Sequence, residues 1–119
     1  MKNLLRRIGT FLGECKVQDK IYHTKRWEHK RALILRRDKY RCQYNARLGR
    51  NVPANTVHHI FPVKEFPEYQ WESWNLVSLS SEAHEKMHLR NYDTLSEDGI
   101  ELLKRTARKN GIPVPLRYE

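Results

Sequence analysis

Apolar residues recur at helical spacing in residues 2–13, where Leu4, Leu5, Ile8, Phe11 and Leu12 make one stripe and Lys2, Arg6 and Arg7 lie opposite. An amphipathic helix is predicted there, packing its stripe on the domain. A second helix is predicted over residues 25–38: Trp27, Ala32, Leu33, Ile34 and Leu35 are set among charges without Gly or Pro, and Thr24 is placed as N-cap. Residues 41–55, with Gly49, Asn51, Pro53 and Asn55, read as loop and turn. The period then changes. Residues 56–60 form a short β-type run closed by Pro62, a polar and aromatic loop runs to Trp74, and residues 75–79 alternate as a second strand. Ser80 or Ser81 caps a helix carrying Glu82, His84, Glu85, Lys86, His88 and Leu89. A last helix opens at Ser96 with Glu97 and Asp98, gathers Lys104, Arg105, Arg108 and Lys109 in its later turns, and stops before Gly111 and Pro113. The sum is an α+β chain, mostly helical, with strand, loop, strand and helix in that order at its centre.

A chain of 119 residues has room for one domain, and no internal repeat divides it. With 39% hydrophobic and 31% charged residues the core is modest, so stability is expected to lean on a bound ion or on aromatic anchors such as Trp27, Trp71 and Trp74. Lys and Arg total 23 against 14 Asp and Glu, a net charge of +9, and the positive charges cluster at Lys25-Arg26, Lys30-Arg31, Arg36-Arg37 and Lys104-Arg105. That footprint fits a polyanion, with nucleic acid the first candidate. No run of apolar residues approaches the roughly 20 that a membrane span needs, and no cleavable leader is evident, so a cytoplasmic protein without membrane contact is expected. Cys15 and Cys42 are too few for a disulfide framework and are expected as thiols.

The candidate chemistry lies in the histidines. Four of the six fall between His58 and His88, as the pairs His58-His59 and His84-His88. In a helix His84 and His88 rise from one face, a spacing suited to one ion. Adjacent strand residues point to opposite faces, so only one of His58 and His59 can join them. With His58 as that ligand, three histidines leave open positions on the ion, as in catalytic sites, and His59 is left to act as general base.

The run from Tyr22 to His88 resembles the HNH endonucleases of tailed phages. The matching pieces are Tyr22, Trp27, Arg37-Asp38-Lys39-Tyr40-Arg41-Cys42-Gln43, Val57 through Glu65, Asn75-Leu76-Val77-Ser78-Leu79 and His84-Glu85-Lys86-Met87-His88. The resemblance implies a ββα-metal core over residues 22–91, flanked by the helix of residues 1–21 and by the basic helix and tail of residues 92–119. It implies that His59 activates water, that Asn75 fixes the loop behind it, and that His84 belongs to the metal site. His58 stands where the family has Asp or His as ligand, and His88 matches the third histidine ligand of the bacteriocin nucleases in the wider superfamily. Many phage members also carry two Cys-x-x-Cys pairs. The matching positions here are Cys42, Asn45, Ser80 and Ala83, which excludes a structural four-cysteine zinc. A hydrophobic substitute involving the N-terminal helix and the tryptophans is expected instead, with Cys42 buried.

The function expected from these residues is metal-dependent hydrolysis of DNA phosphodiester bonds, nicking or cutting both strands, with one divalent ion. Imidazole ligands favour Zn, Ni, Co or Mn over Mg. Lys64, Lys86 and Arg90 flank the expected site as phosphate contacts. DNA is the expected partner, and the resemblance adds phage terminase or packaging proteins. The alternative is a non-catalytic, metal-held DNA-binding or packaging accessory protein of the same shape.

Overall fold

The computed structural model describes residues 21–90 and 94–119, and the helix expected over residues 2–13 lies outside the described residues, as does Cys15. A single 3-10 turn, Ile21–His23, leads into helix α1, Lys25–Arg37. Thr24 caps α1 as the sequence predicts: its side chain accepts the Trp27 amide, satisfying one of the unpaired N–H groups of the first turn. Helix α1 buries Trp27, Ile34 and Leu35 in one cluster with Val57 and Leu76, with Trp71 packed alongside.

Residues 41–55 are not wholly loop. Gln43–Arg47 forms a short helix, α2, and Arg41 pairs with Pro53 in an isolated bridge. Five residues are too few for a periodic apolar stripe, and no side chain caps this helix, so pattern alone does not reveal it. A tertiary bond holds its start in place: the Cys42 amide donates to the Val52 carbonyl at 2.7 Å, and the Cys42 carbonyl accepts the first helical bond, from the Ala46 amide, at 2.9 Å.

Strands β1, Thr56–His59, and β2, Leu76–Leu79, pair antiparallel with Thr56 opposite Leu79 and His59 opposite Leu76. The second strand starts one residue later than its alternation suggests, because Asn75 closes a 3-10 turn, Ser73–Asn75. Asp38, at the end of α1, accepts the Ser78 amide at 3.0 Å, while Arg37 donates to the carbonyls of Ser73 and Leu76. These bonds lock α1 across the hairpin.

Helix α3, Ser81–Lys86, follows β2 directly, capped by the Ser80 hydroxyl on the Ala83 amide. It ends before His88, not beyond it as the sequence suggests. The Met87 and His88 amides reach back three residues, to His84 and Glu85, which tightens the last turn. The next residues then pair elsewhere: His88 bridges Leu95, and the Ser96 amide and hydroxyl take the carbonyls of Met87 and Lys86. Ser96 in turn caps helix α4, Glu97–Asn110, whose C-cap is Gly111 at φ 68°, the left-handed conformation that glycine adopts without steric cost.

Among the described residues three apolar clusters flank the hairpin. Besides the α1 cluster, Ile60, Phe61, Leu95, Leu103, Ala107 and Tyr118 join α4 and the C-terminal tail, with Trp74 packed on them. Tyr118 also donates to Glu65 at 2.7 Å, and Arg117 pairs with the same carboxylate. The third cluster is Cys42, Leu79, Ala83 and Met87. It brings together the four positions matching the family's zinc ribbon: Asn45 donates to the Cys42 sulfur at 3.3 Å, Ser80 bonds to the same thiol, and Ala83 packs beside it. Cys42 is fully buried. The tryptophans, expected at this end, lie in the other two clusters; Tyr44, Val52 and Leu102 cover it instead.

Candidate active site

The two histidines of β1 separate as strand geometry requires. The His58 ring turns to the side of α3, with centroids 5.2 Å from those of both His84 and His88. The His59 ring turns the other way and stacks on Trp27 at 5.2 Å and an interplanar angle of 22°. Both rings are almost wholly buried.

His58, His84 and His88 offer one imidazole nitrogen each, and the three atoms lie within 4.8 Å of one another. The Nε2 atoms of His84 and His88 are 3.3 Å apart. Two nitrogens ~2.0–2.1 Å from one tetrahedral ion stand about 3.3–3.4 Å apart, so this pair already has the spacing of two ligands. His58 Nε2 is buried and has no hydrogen-bond partner among the described residues, a costly state that a bound cation relieves. The donors therefore fit a divalent ion. Burial pushes His58 well below the ordinary histidine value, reinforced by its histidine neighbours, and burial pushes His84 down to about 4. The same burial that disfavours the imidazolium keeps the ligand lone pairs unprotonated near neutrality.

His59 is fixed at both nitrogens. Its Nε2 lies 3.0 Å from the Gln70 carbonyl oxygen, which can only accept, so the proton sits on Nε2 and Nδ1 carries the lone pair of the neutral ring. Burial pushes this histidine down to about 4, against the opposing effect of the Gln70 carbonyl. The Tyr22 hydroxyl stands 3.2 Å from Nδ1. Neither Gln70 nor this Tyr22 contact is visible from sequence spacing. The first acts through its backbone and carries no side-chain signal; the second crosses 37 positions, with only the presence of Tyr22 ahead of the basic helix as a pointer.

Asn75 is fully buried beside this site. Its Oδ1 accepts the Phe61 amide at 2.7 Å, and its Nδ2 donates to the carbonyls of Phe61 and Tyr69 at 3.3 and 3.1 Å. The backbone adds a bond from the Ile60 amide to the Asn75 carbonyl. One side chain thus ties the end of β1, the loop and the start of β2 together. Lys64, Lys86 and Arg90 are all exposed, and the Lys86 ammonium lies over the Tyr44 ring at 5.4 Å. His23 and His29 are exposed and stand outside the cluster. Among the described residues no helix is long and apolar enough to cross a membrane.

Two antiparallel strands, a helix packed behind them and a histidine cluster between strand and helix define the ββα-metal, or HNH, fold. Among solved structures the chain is similar to the HNH endonuclease of the deep-sea thermophilic bacteriophage GVE2, crystallised with manganese ion: the two share 30% identity over 56% of this chain and 72% of that one, with a TM-score of 0.54. No protein-family model matches the chain, and no curated protein matches it.

Proposed function

We propose that this protein is a metal-dependent DNA endonuclease of the HNH type. The observation that carries the reading is the division of labour in β1: His58 joins His84 and His88 around one point, while His59, with its proton fixed on Nε2, presents a lone pair elsewhere. The likeness to a phage HNH endonuclease with manganese agrees with it, and the net charge of +9 suits a DNA substrate.

His58, His84 and His88 would hold the ion. A divalent cation bound there supplies charge neutralisation to the scissile phosphate and to the departing 3′ oxygen. His59 takes the proton of the attacking water at Nδ1, and the Gln70 carbonyl stabilises the imidazolium that results by accepting from Nε2. Asn75 keeps the loop carrying Gln70 at the right distance by bonding Tyr69 and Phe61. Lys64, Lys86 and Arg90 are offered as phosphate contacts, and three imidazole donors favour Mn, Ni, Co or Zn over Mg.

The test is nicking of supercoiled plasmid by the purified chain with each of Mn, Ni, Co, Zn and Mg. His59→Gln, which keeps most of the ring's volume beside Trp27, should lower the rate by roughly 10²–10⁴ and leave metal binding intact. Parental activity in that variant would remove the base assignment. Metal and DNA binding with no cleavage under any ion would favour a non-catalytic binding module.

A further inference from the structure

Building on that reading of His59, we infer that Tyr22 occludes the base in the DNA-free protein and acts on the reaction only through His59. With the proton on Nε2, the neutral ring has one lone pair, on Nδ1, and the Tyr22 hydroxyl donates to it at 3.2 Å. A single lone pair in the ring plane takes one donor well. The phenol oxygen therefore stands where the water to be deprotonated has to stand, and the two exclude each other.

The structure also distinguishes the fixed partner from the movable one. His59 is 6% exposed, stacked on Trp27 and bonded at Nε2, whereas Tyr22 is 40% exposed and sits on a single 3-10 turn with no buried residue. Its ring meets Trp27 and His59 edge-on, at 5.1 and 5.9 Å. The hydrogen bond is at the long end of the normal range, so a water can compete with it for Nδ1. Tyr22 thus covers Nδ1 in the DNA-free protein and swings aside when the substrate brings its phosphate and water to His59.

Tyr22→Phe keeps both ring contacts and removes the hydroxyl. Loss of one ordinary hydrogen bond from the covered, DNA-free state should lower KM for plasmid nicking, and so raise kcat/KM, by about fivefold, with kcat changed less than about twofold. The gain has to pass through His59, so it should vanish when Tyr22→Phe is combined with His59→Gln. Without substrate or metal, the 15N resonance of His59 Nδ1 should move downfield in Tyr22→Phe as the nitrogen loses its donor. An unchanged or lower kcat/KM, a gain that survives His59→Gln, or an unmoved Nδ1 resonance would each overturn the inference. If His59→Gln alone cuts at the parental rate, it is the base assignment that fails.

Discussion

The Nε2 atoms of His84 and His88 stand 3.3 Å apart although helix α3 stops between the two residues. The tightened turn over residues 84–88 preserves the approach that an unbroken helix would have made, and the His88–Leu95 bridge then anchors the second imidazole to the next segment. Two donors at ligand spacing should bind one ion jointly. His84→Ala and His88→Ala are each expected to weaken Mn, Ni or Zn binding at least tenfold, about 1.4 kcal/mol. Saturating metal, at ~100 times its Kd, should stabilise the parent by about 2.7 kcal/mol and raise its Tm by roughly 10 °C. Calorimetric titration and thermal unfolding check both; a parental metal affinity in either variant would remove that histidine from the site.

The site is legible in the sequence to the extent that it rests on local periodicity. Strand alternation separates His58 from His59, the four-residue interval brings His84 to His88, and Ser80 announces its helix by capping it. What periodicity does not carry is the boundary set by competition between segments. Helix α3 ends at Lys86 because Ser96, ten residues on, takes the carbonyls at its end, and α2 exists because Cys42 and Val52 hold its flanks. The surroundings of His59 are the extreme case: Tyr22, Trp27 and Gln70 come from three separate elements, and only the folded chain brings them to one ring.

Asn75 should matter to folding as much as to catalysis. Truncation to Ala strands the buried Phe61 amide and withdraws the donor from the Phe61 and Tyr69 carbonyls. An unsatisfied buried group costs about 1–3 kcal/mol, so Asn75→Ala is expected to lose roughly 3 kcal/mol of stability. Urea unfolding measures it, and a loss below about 1 kcal/mol would show that the loop does not depend on this side chain.

Acid should destabilise the metal-free protein. His59 and His84 are held down to about 4 by burial, against an ordinary value of 6.5, so between those values the unfolded chain binds protons that the folded chain refuses. Their contribution is complete above pH 6.5 and is lost as the pH falls towards 4. Each buried histidine adds a slope of up to about 1.4 kcal/mol per pH unit. Urea unfolding in chelator between pH 6.5 and 4.5 should show that decline, and His84→Ala should make it shallower. A flat profile in the parent would mean that the rings are not buried neutral.

Gly99 links helix α4 to the histidine cluster. In most exposed helical positions Gly→Ala is favourable by up to about 1 kcal/mol, because Ala loses less backbone freedom on folding. Here a methyl group at residue 99 would run into the Met87 carbonyl and press on the Leu95 side chain. The carbonyl is backbone, held by the Ser96 amide at 2.9 Å, and cannot give way without moving its neighbour His88. The collision outweighs the propensity gain, and the expected sign reverses: Gly99→Ala should destabilise the protein by about 1–3 kcal/mol, as overpacking does elsewhere. It should also weaken metal binding, although residue 99 offers no ligand. Equal metal affinity in a variant that is nonetheless destabilised would show that α4 supports the fold without setting the position of His88.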